Sequence, residues 1–366
     1  MPVIRLSTPS DPEALAGAWR DLEQRAAGSF FQGWSWTGCL ARERFPDPVL
    51  LEAVEEGQVV GLALFNRRGS GLEDTLHLGA SGSAMYDAIF VEHNGVLTDA
   101  RWDDTLAAAM LTTAMRSGSR WRRTAALSLP GVGEATLRAA RQAGGIVRTR
   151  QARAAPWIDL AGLGSGAEEY LLQLSANTRY QIRRSERSYS ARGTLRVERA
   201  KSPREAHAFL DALATLHQKY WEHRGQPGSF ANVHFGRFHH GLIDHAFSRG
   251  EIDLLRIAAG EAVVGYLYNF RYRGRVLAYQ SGFAYDGADR HEKPGLTCHH
   301  LAIEAYRAEG LTAYDFLGGS DRYKTSFATA EASLLWLSLY PPWSCSGALA
   351  RVRSAVVAAA RHRKHS

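Results

Sequence analysis

Hydrophobic residues recur at every second position in several short stretches of this chain, which is the pattern of half-buried β-strands. Residues 49–54 and 59–65 are separated by Glu-Glu-Gly-Gln, and this spacing predicts a β-hairpin with glycine in its turn. Residues 252–257 and 263–270 repeat the arrangement around Ala-Gly-Glu. The segments VVGLAL and VVGYLY match in pattern and in position within each half, so we expect two copies of one α/β unit. Chance similarity between two hydrophobic hairpins is the competing explanation.

Other stretches place apolar side chains every three to four residues, which predicts amphipathic helices. The predicted helices cover residues 12–26, 101–116, 133–142, 168–192, 203–223 and 233–249. Further strands are predicted at residues 75–78, 88–91 and 125–129. A glycine-rich turn at residues 156–166 marks the predicted boundary, so the expected domains are 1–160 and 161–345, followed by a basic helical tail at 346–366.

The stretch from residue 275 to residue 327 carries the most informative pattern. Residues 276–283 read as a strand, and a polar loop then leads to Pro294, which opens a helix that stops at Gly310. Residues 311–317 read as the next strand, broken by two glycines. A helix that begins in such a loop presents free N–H groups and partial positive charge, which suits an anion. An ordinary solvated loop is the alternative.

Composition describes a globular chain of 366 residues with a net charge of +7 and a pI near 9.4. The basic balance favours an anionic partner, which includes a phosphorylated cofactor, RNA or a lipid surface. No apolar run reaches the length of a membrane span, and the polar, acidic N-terminal stretch lacks a signal-peptide core, so we expect a cytoplasmic protein. Cys39, Cys298 and Cys345 are too scattered for a disulfide framework or a zinc site.

Three clusters of polar residues invite a functional interpretation. Arg179, Arg183 and Arg187 fall four apart on one predicted helix, which suits either phosphate contacts or an ordinary solvated face. His239-His240 and Asp244 match the HHxxxD motif of condensation-type acyltransferases, but they lie inside a helical pattern, so we interpret the match as coincidental. In the cluster Cys298-His299-His300, neighbours on a helix point in different directions, which makes a poor metal site. One of them could face an acyl donor, but the pattern favours packing.

Five short motifs, in order, carry a resemblance to a known family. They are SANTRYQIRR at 175–184, WEHRGQPGSF at 221–230, KPGL at 293–296, YDFLGG at 314–319 and YK at 323–324. In these motifs the chain resembles the Fem-related, CelD-like acyltransferases of the GNAT superfamily, over about residues 150 to 340. The resemblance implies an α/β (α+β) fold of two tandem GNAT-like domains. Each would be a mixed, mainly antiparallel sheet flanked by helices.

The resemblance also implies site residues and a donor. Splayed strands at residues 266–270 and 279–283 would flank the pantetheine arm of acetyl-CoA or another acyl-CoA, with no metal required. The implied cofactor-binding residues are Arg290, His291, Lys293, Pro294, Gly295, Leu296 and Thr297. The implied substrate-binding residues are Trp221, Arg224, Phe230, Tyr268, Gln280 and Tyr323. The catalytic candidates are Asp315, Tyr279 and Lys324, and Asp315 has a structural alternative as a capping or ion-paired carboxylate.

Three functions fit these expectations. The first is an acyl-CoA-dependent N-acyltransferase acting on an amine of a small molecule or of a cell-envelope or polysaccharide precursor, by direct attack. The second, also implied by the resemblance, is transfer of an amino acid from aminoacyl-tRNA, with the arginines as RNA contacts. The third is a non-catalytic partner in a biosynthetic complex. Residues 290–295 supply one glycine where the superfamily's pyrophosphate loop usually has two, which weakens an acetyl-CoA assignment.

Overall fold

The computed structural model describes residues 2–70, 73–118, 123–163, 169–285, 289–319, 321–344 and 346–350. Contacts divide the chain into two units, one of residues 1–152 and 333–366 and one of residues 153–332. The predicted domain limits at 160 and 345 stay predictions. Residues 351–366, most of the predicted basic tail, lie outside the described residues.

The first unit is a mixed sheet with helices. Its strands are β1 (Val3–Ser7), β2 (Pro48–Glu55), β3 (Gln58–Ser70), β4 (Glu73–Leu78), β5 (Leu97–Thr98) and β6 (Arg123–Val132). Its helices are α1 (Pro12–Arg25), α2 (Trp34–Arg44), α3 (Asp104–Met115) and α4 (Glu134–Gln142). The strand order is β1-β2-β3-β4-β6, with β5 beside β3, and β4 and β6 run parallel.

The second unit repeats this plan. Strand β7 (Ile146–Asp159) leads into it, and its other strands are β8 (Leu195–Arg199), β9 (Ile252–Ala259), β10 (Ala262–Tyr272), β11 (Arg275–Phe283) and β12 (Ala313–Asp315). Its helices are α5 (Glu169–Gln173), α6 (Ala176–Ser190), α7 (Pro203–Glu222), α8 (Val233–Ala246), α9 (Pro294–Ala308) and α10 (Arg322–Phe327). Strand β13 (Ala330–Tyr340) leads back to the first unit, where it pairs with β6. The order is β7-β12-β11-β10-β9-β8, and only β11 and β12 pair in parallel among the described strands of this unit.

The predicted internal symmetry extends to individual residues. The hairpins β2–β3 and β9–β10 each carry a register shift close to their turn, which leaves Val60 and Val264 as the corresponding bulged residues. The next residue is glycine in both. A Cβ on Gly61 would meet the Met110 sulfur of α3 at 2.6 Å, and one on Gly265 would meet the Cys298 sulfur of α9 at 3.1 Å. Each bulge therefore sits where the crossover helix packs closely on the hairpin.

Each unit has its own apolar core. In the first unit, side chains of the sheet pack against α3 and α4 around Leu51, Phe65 and Met110. In the second unit, α6 and α9 cover the sheet around Ile182, Leu255 and Ile303. The predicted α/β class is confirmed. Cys39 and Cys298 are buried free thiols, and Cys345 lies outside the described residues.

Two local predictions are wrong. The long helix predicted at 168–192 is two helices, because Ser175 has extended backbone angles and its hydroxyl accepts a hydrogen bond from the Thr178 N–H at 3.1 Å, which caps a new helix. The strand predicted at 88–91 is a short 3₁₀ turn, Asp87–Ile89, followed by Phe90 in the left-handed region with φ of 48°. None of the described helices is both long and apolar enough to cross a bilayer.

Candidate active site

The second unit contains a gap in its sheet beside β11. Along β11, strand β12 pairs only with Arg275, Val276 and Leu277, at the beginning of the strand. Residues 278–283 continue to pair with β10 on one edge but have no strand partner on the other among the described strands. The two parallel strands therefore diverge, and half of β11 offers an open backbone edge.

The backbone N–H and C=O of Ser281 lie on this open edge of β11. Its N–H donates to the side-chain oxygen of Gln280 at 3.1 Å, and its C=O accepts from Nδ1 of His217 at 3.1 Å. Side chains thus occupy positions that a neighbouring strand would otherwise fill. Because backbone groups alternate between the two edges of a strand, the N–H of Phe283 faces the same gap.

The N-terminus of α9 opens beside this edge. Pro294 has no N–H, and the first intrahelical bond is donated by the Thr297 N–H to the Lys293 C=O at 3.1 Å. The N–H groups of Gly295 and Leu296 have no hydrogen-bond partner within the described chain. Two free donors at a helix N-terminus, with Lys293 at the N-cap, favour an anion.

The open edge and the helix N-terminus line one cavity of about 420 Å³, within the usual range for small-molecule sites. Its lining residues are His217, Tyr220, Trp221, Arg224, Ala278, Tyr279, Gln280, Ser281, Phe283, Tyr285, Lys293, Pro294, Gly295, Leu296, His299, Asp321, Tyr323 and Lys324.

One wall of the cavity is aromatic and carries positive charge. The rings of Tyr220 and Tyr285 stack with centroids 4.9 Å apart, and the Arg224 guanidinium lies over Tyr220 at 4.4 Å. Lys324 is fixed by hydrogen bonds from its ammonium to the carbonyls of Phe316 and Gly318, at 2.8 and 3.0 Å.

Most of the site residues expected from the sequence lie in this cavity. The predicted residues that line it are Trp221, Arg224, Tyr279, Gln280, Lys293, Pro294, Gly295, Leu296, Tyr323 and Lys324. The predicted residues that do not line it are Phe230, Tyr268, Arg290, His291, Thr297 and Asp315.

Asp315 is buried away from the cavity lining, with 1% exposure. Its carboxylate accepts from the Leu317 N–H at 2.8 Å and pairs with Arg275 at 3.3 Å. These contacts match the structural alternative, in which the carboxylate holds the end of β12 in place.

His291 and Thr297 face α6, whereas Arg290 is exposed and lies next to His291. The His291 ring contacts the Arg184 guanidinium at 2.5 Å, and the Thr297 hydroxyl contacts that of Ser185 at 2.8 Å. The Ser185 hydroxyl also accepts from the Lys293 N–H at 2.8 Å. These residues anchor the loop on α6 and so position the start of α9.

Phe230 and Tyr268 pack behind the cavity. Phe230 makes edge contacts with His217 and Phe235, and Tyr268 is fully buried with its hydroxyl 3.3 Å from Nδ1 of His239. Tyr268 also contacts the Tyr279 ring edge-on, with centroids 6.0 Å apart. Both residues therefore support side chains that line the cavity.

The predicted position of the slot is wrong. Residues 266–270 of β10 and 279–283 of β11 pair with each other, with a register shift between Tyr268 and Asn269. Because this ladder closes the space between them, the opening lies on the other edge of β11, where β12 departs.

The remaining polar clusters are accounted for by local contacts. Arg179 donates to the carbonyls of Leu172 and Leu174, whereas Arg183 and Arg187 are exposed on α6. In the HHxxxD match, His240 pairs with Asp211 of α7 and Asp244 pairs with His207, so helix pairing explains these residues. No group of three metal-ligating side chains able to hold a metal occurs in the described part of the chain.

Sequence reasoning missed several lining residues, among them Tyr220 and Tyr285. Their stacking on each other joins two segments that are distant in the chain, and no periodicity in the sequence marks it. His217 is held on both nitrogens: Nδ1 donates to the Ser281 C=O and Nε2 accepts from the Ser229 N–H at 3.2 Å. Burial lowers its pKa, so the ring is neutral and serves to fix the loop.

Comparisons with known proteins agree with this architecture. Residues 176–325 match the family model described as acetyltransferase (GNAT) domain. No curated protein matches the chain in sequence. The crystal structure of FemX superposes with a TM-score of 0.62 at 11% identity, covering 92% of this chain and 97% of that one. L-PGS from Bacillus licheniformis gives a TM-score of 0.53 at 11% identity, covering 95% and 97% of the two chains.

Another structure with this fold is the C-terminal domain of a putative lysylphosphatidylglycerol synthetase from Agrobacterium fabrum, with a TM-score of 0.53 at 11% identity and coverage of 93% and 95%. At such identities the likeness concerns the fold. Residues 176–325 therefore match the model of a GNAT acetyltransferase domain, and the chain as a whole has a fold similar to that of FemX. The resemblance and the fold class inferred from the sequence are confirmed.

Proposed function

We propose that this protein is an N-acyltransferase that moves an acyl group from acyl-CoA, with acetyl-CoA as the first choice, to an amine. The acceptor would belong to a small molecule or to a cell-envelope or polysaccharide precursor. The observation that carries the proposal is the open edge of β11 beside the N-terminus of α9, both facing one cavity.

The open edge suits the amide-bearing arm of a CoA thioester. Pantetheine carries peptide-like amides, and these would pair with the Phe283 N–H and, by displacing the Gln280 side chain, with the Ser281 N–H, as another strand would. The free N–H groups of Gly295 and Leu296, with Lys293, would receive the phosphates at one end of the arm. The thioester would then reach the interior of the cavity along residues 278–283.

The chemistry needs few protein groups. The neutral amine attacks the thioester carbonyl, a C–N bond forms, the C–S bond breaks, and the amine's proton leaves while the sulfur departs as thiolate or thiol. In our proposal Tyr279 assists proton transfer, and the Lys324 ammonium stabilises negative charge that develops in the cavity. Asp315 would have a structural role, because its carboxylate holds the end of β12 in place.

A second candidate is transfer from aminoacyl-tRNA, as the Fem resemblance implies. The observation that favours it is the single glycine of residues 290–295, since Pro294 leaves only two free N–H groups for a pyrophosphate. Exposed Arg183 and Arg187 on α6 would contact the RNA backbone, and binding would weaken steeply with salt.

Thermal unfolding with a panel of donors tests these alternatives, because a ligand that binds only the folded protein raises the midpoint. The panel is acetyl-CoA, longer acyl-CoAs, free CoA and bulk aminoacyl-tRNA. We expect a saturable shift with a CoA ester that Lys293→Ala reduces. Lys201→Ala, which replaces an exposed lysine that does not line the cavity, is the matched control and should leave the shift unchanged.

The other outcomes decide against the proposal. A salt-sensitive shift with aminoacyl-tRNA and none with any thioester would transfer the assignment to the second candidate. If no donor in the panel raises the unfolding midpoint, a role as a non-catalytic partner would be favoured. If a CoA ester is bound, an amine panel followed by mass spectrometry of the products identifies the acceptor.

A further inference from the structure

One polar side chain of the cavity has no part in the contacts described so far. His299 lies in the second turn of α9, is 2% exposed and lines the cavity. Its ring is surrounded by aromatic side chains: Tyr323 stacks on it with centroids 5.3 Å apart, and Phe283 and Phe316 make edge contacts at 5.8 and 5.3 Å. An imidazole in such surroundings has few hydrogen-bond partners.

Tyr314 determines which ring nitrogen carries the proton. Its hydroxyl is fully buried and lies 2.9 Å from Nδ1 of His299, its hydrogen-bond partner among the described residues. If the hydroxyl donates to Nδ1, only the Nε2–H of the imidazole remains unpaired. If Nδ1–H donated instead, both the tyrosine hydrogen and the Nε2 lone pair would be buried without partners. Each buried unpaired group costs about 1–3 kcal/mol, so the first arrangement is favoured.

The Nε2 atom has no hydrogen-bond partner in the part of the chain that the structure describes, and it is shielded from solvent. Burial, aided by the positive charge of Lys324, lowers the pKa of His299 to about 3, so the ring is neutral at physiological pH. Such a ring is a weak base for an alkylammonium ion. A neutral imidazole N–H in a dry site is, however, an effective donor to an oxygen that gains negative charge.

We propose that the Nε2–H of His299 donates a hydrogen bond to the carbonyl oxygen of the acyl group during its transfer. This inference rests on the proposed acyltransferase function and adds a catalytic residue to it. When the amine attacks, the carbonyl carbon becomes tetrahedral and negative charge collects on its oxygen. His299 stabilises that charge without itself gaining or losing a proton.

Contact with a ligand requires a neighbouring ring to shift, because solvent does not reach Nε2 in the unoccupied cavity. Phe283 and Tyr323 are the neighbours of His299 that also line the cavity. Rotation of either side chain brings the acyl group to the imidazole edge and keeps water out.

Two substitutions at this position separate hydrogen bonding from packing. His299→Gln keeps an N–H donor near the position of Nε2, whereas His299→Leu keeps volume and removes the donor. With the acyl donor and amine that the wild type uses, we expect His299→Leu to lower kcat by about 10²–10³ while KM for the donor changes little. His299→Gln should retain kcat within about tenfold of the wild type, the cost of an imperfectly placed donor.

A direct measurement of the tautomer accompanies the kinetics. Nitrogen-15 NMR of the ligand-free protein should show the proton of His299 on Nε2, and Tyr314→Phe should shift it partly to Nδ1. A proton on Nδ1 in the wild type overturns the proposal. The proposal is also overturned if His299→Leu has the same kcat as the wild type. It is overturned as well if the Leu and Gln variants, both shown to be folded by circular dichroism, lose kcat equally. If the wild type neither binds nor turns over any thioester, the proposed acyltransferase function fails as well. This outcome distinguishes that failure from a failure of the His299 proposal alone.

Discussion

Burial of His299 has a consequence for stability that does not depend on any ligand. The pKa of this side chain is about 3 in the folded protein, against 6.5 for a histidine exposed to water. Above pH 6.5 both states are neutral and the ring contributes nothing. As the pH falls from 6.5 toward 3, the unfolded chain takes up a proton that the folded protein does not, so stability falls with a limiting slope of about 1.4 kcal/mol per pH unit.

At pH 5.0 the cost of this single group is about 2 kcal/mol, since pH 5.0 lies about 1.5 units below the unfolded pKa. His299→Gln removes the titrating group. We therefore expect the variant to lose about 2 kcal/mol less than the wild type when the pH is lowered from 7.5 to 5.0. Comparing each protein with itself cancels the pH-independent cost of the lost Tyr314 contact.

Urea unfolding followed by circular dichroism at the two pH values measures this difference. His299→Leu is a second test, because it also lacks the titrating ring and should show the same smaller loss as His299→Gln. Equal losses of stability in wild type and His299→Gln would refute the reasoning, because they would mean that the ring takes up its proton in the folded protein.

Three further predictions concern the fold that supports the site, each measured as a free energy of unfolding in urea. Gly282→Ala should destabilise the protein by about 3 kcal/mol or more, because a Cβ there would lie 2.3 Å from the Leu213 carbonyl oxygen. Gly17→Ala, where a Cβ would meet nothing within 4 Å, should instead raise the free energy of unfolding by about 0.5–1 kcal/mol. Equal effects of the two glycine changes would contradict the packing. Ser175→Ala should lose about 1 kcal/mol with the cap of α6, and no loss would mean that the cap is dispensable. Asp253→Ala should cost about 1.5–3 kcal/mol, since this 2% exposed carboxylate accepts the Nε–H of Arg199 with both oxygens and a hydrogen bond from the Tyr306 hydroxyl. An unchanged free energy of unfolding would show that these bonds add no net stability.

The hairpins and their glycine turns could be predicted because their signals are local. Alternating apolar positions specify which face is buried, and Gly57 and Gly260 take positive φ angles of 79° and 60° that few other residues adopt. The break at Ser175 could not be predicted because residues that favour a helix continue on both sides of it. Only the hydroxyl's bond to the Thr178 N–H ends one helix and begins the next.

The site was predictable where a motif carries it and not where tertiary contacts do. Lys293 and Gly295 follow from a loop that opens a helix, and the structure lines the cavity with both. The sequence motif also predicted a catalytic role for Asp315, but in the structure its carboxylate forms an ion pair with Arg275. The isolation of the His299 ring could not be predicted, because it arises from aromatic neighbours on β11, on α10 and beyond β12.

Hydrogen–deuterium exchange with and without acetyl-CoA tests most directly whether the open edge of β11 receives the donor. The account predicts slower exchange at residues 278–283 and at Gly295 and Leu296 when the donor is bound, with β9 as an internal reference that stays unchanged. The result that would contradict it is a donor that raises the thermal midpoint of the protein while exchange along β11 and at the start of α9 remains as it was.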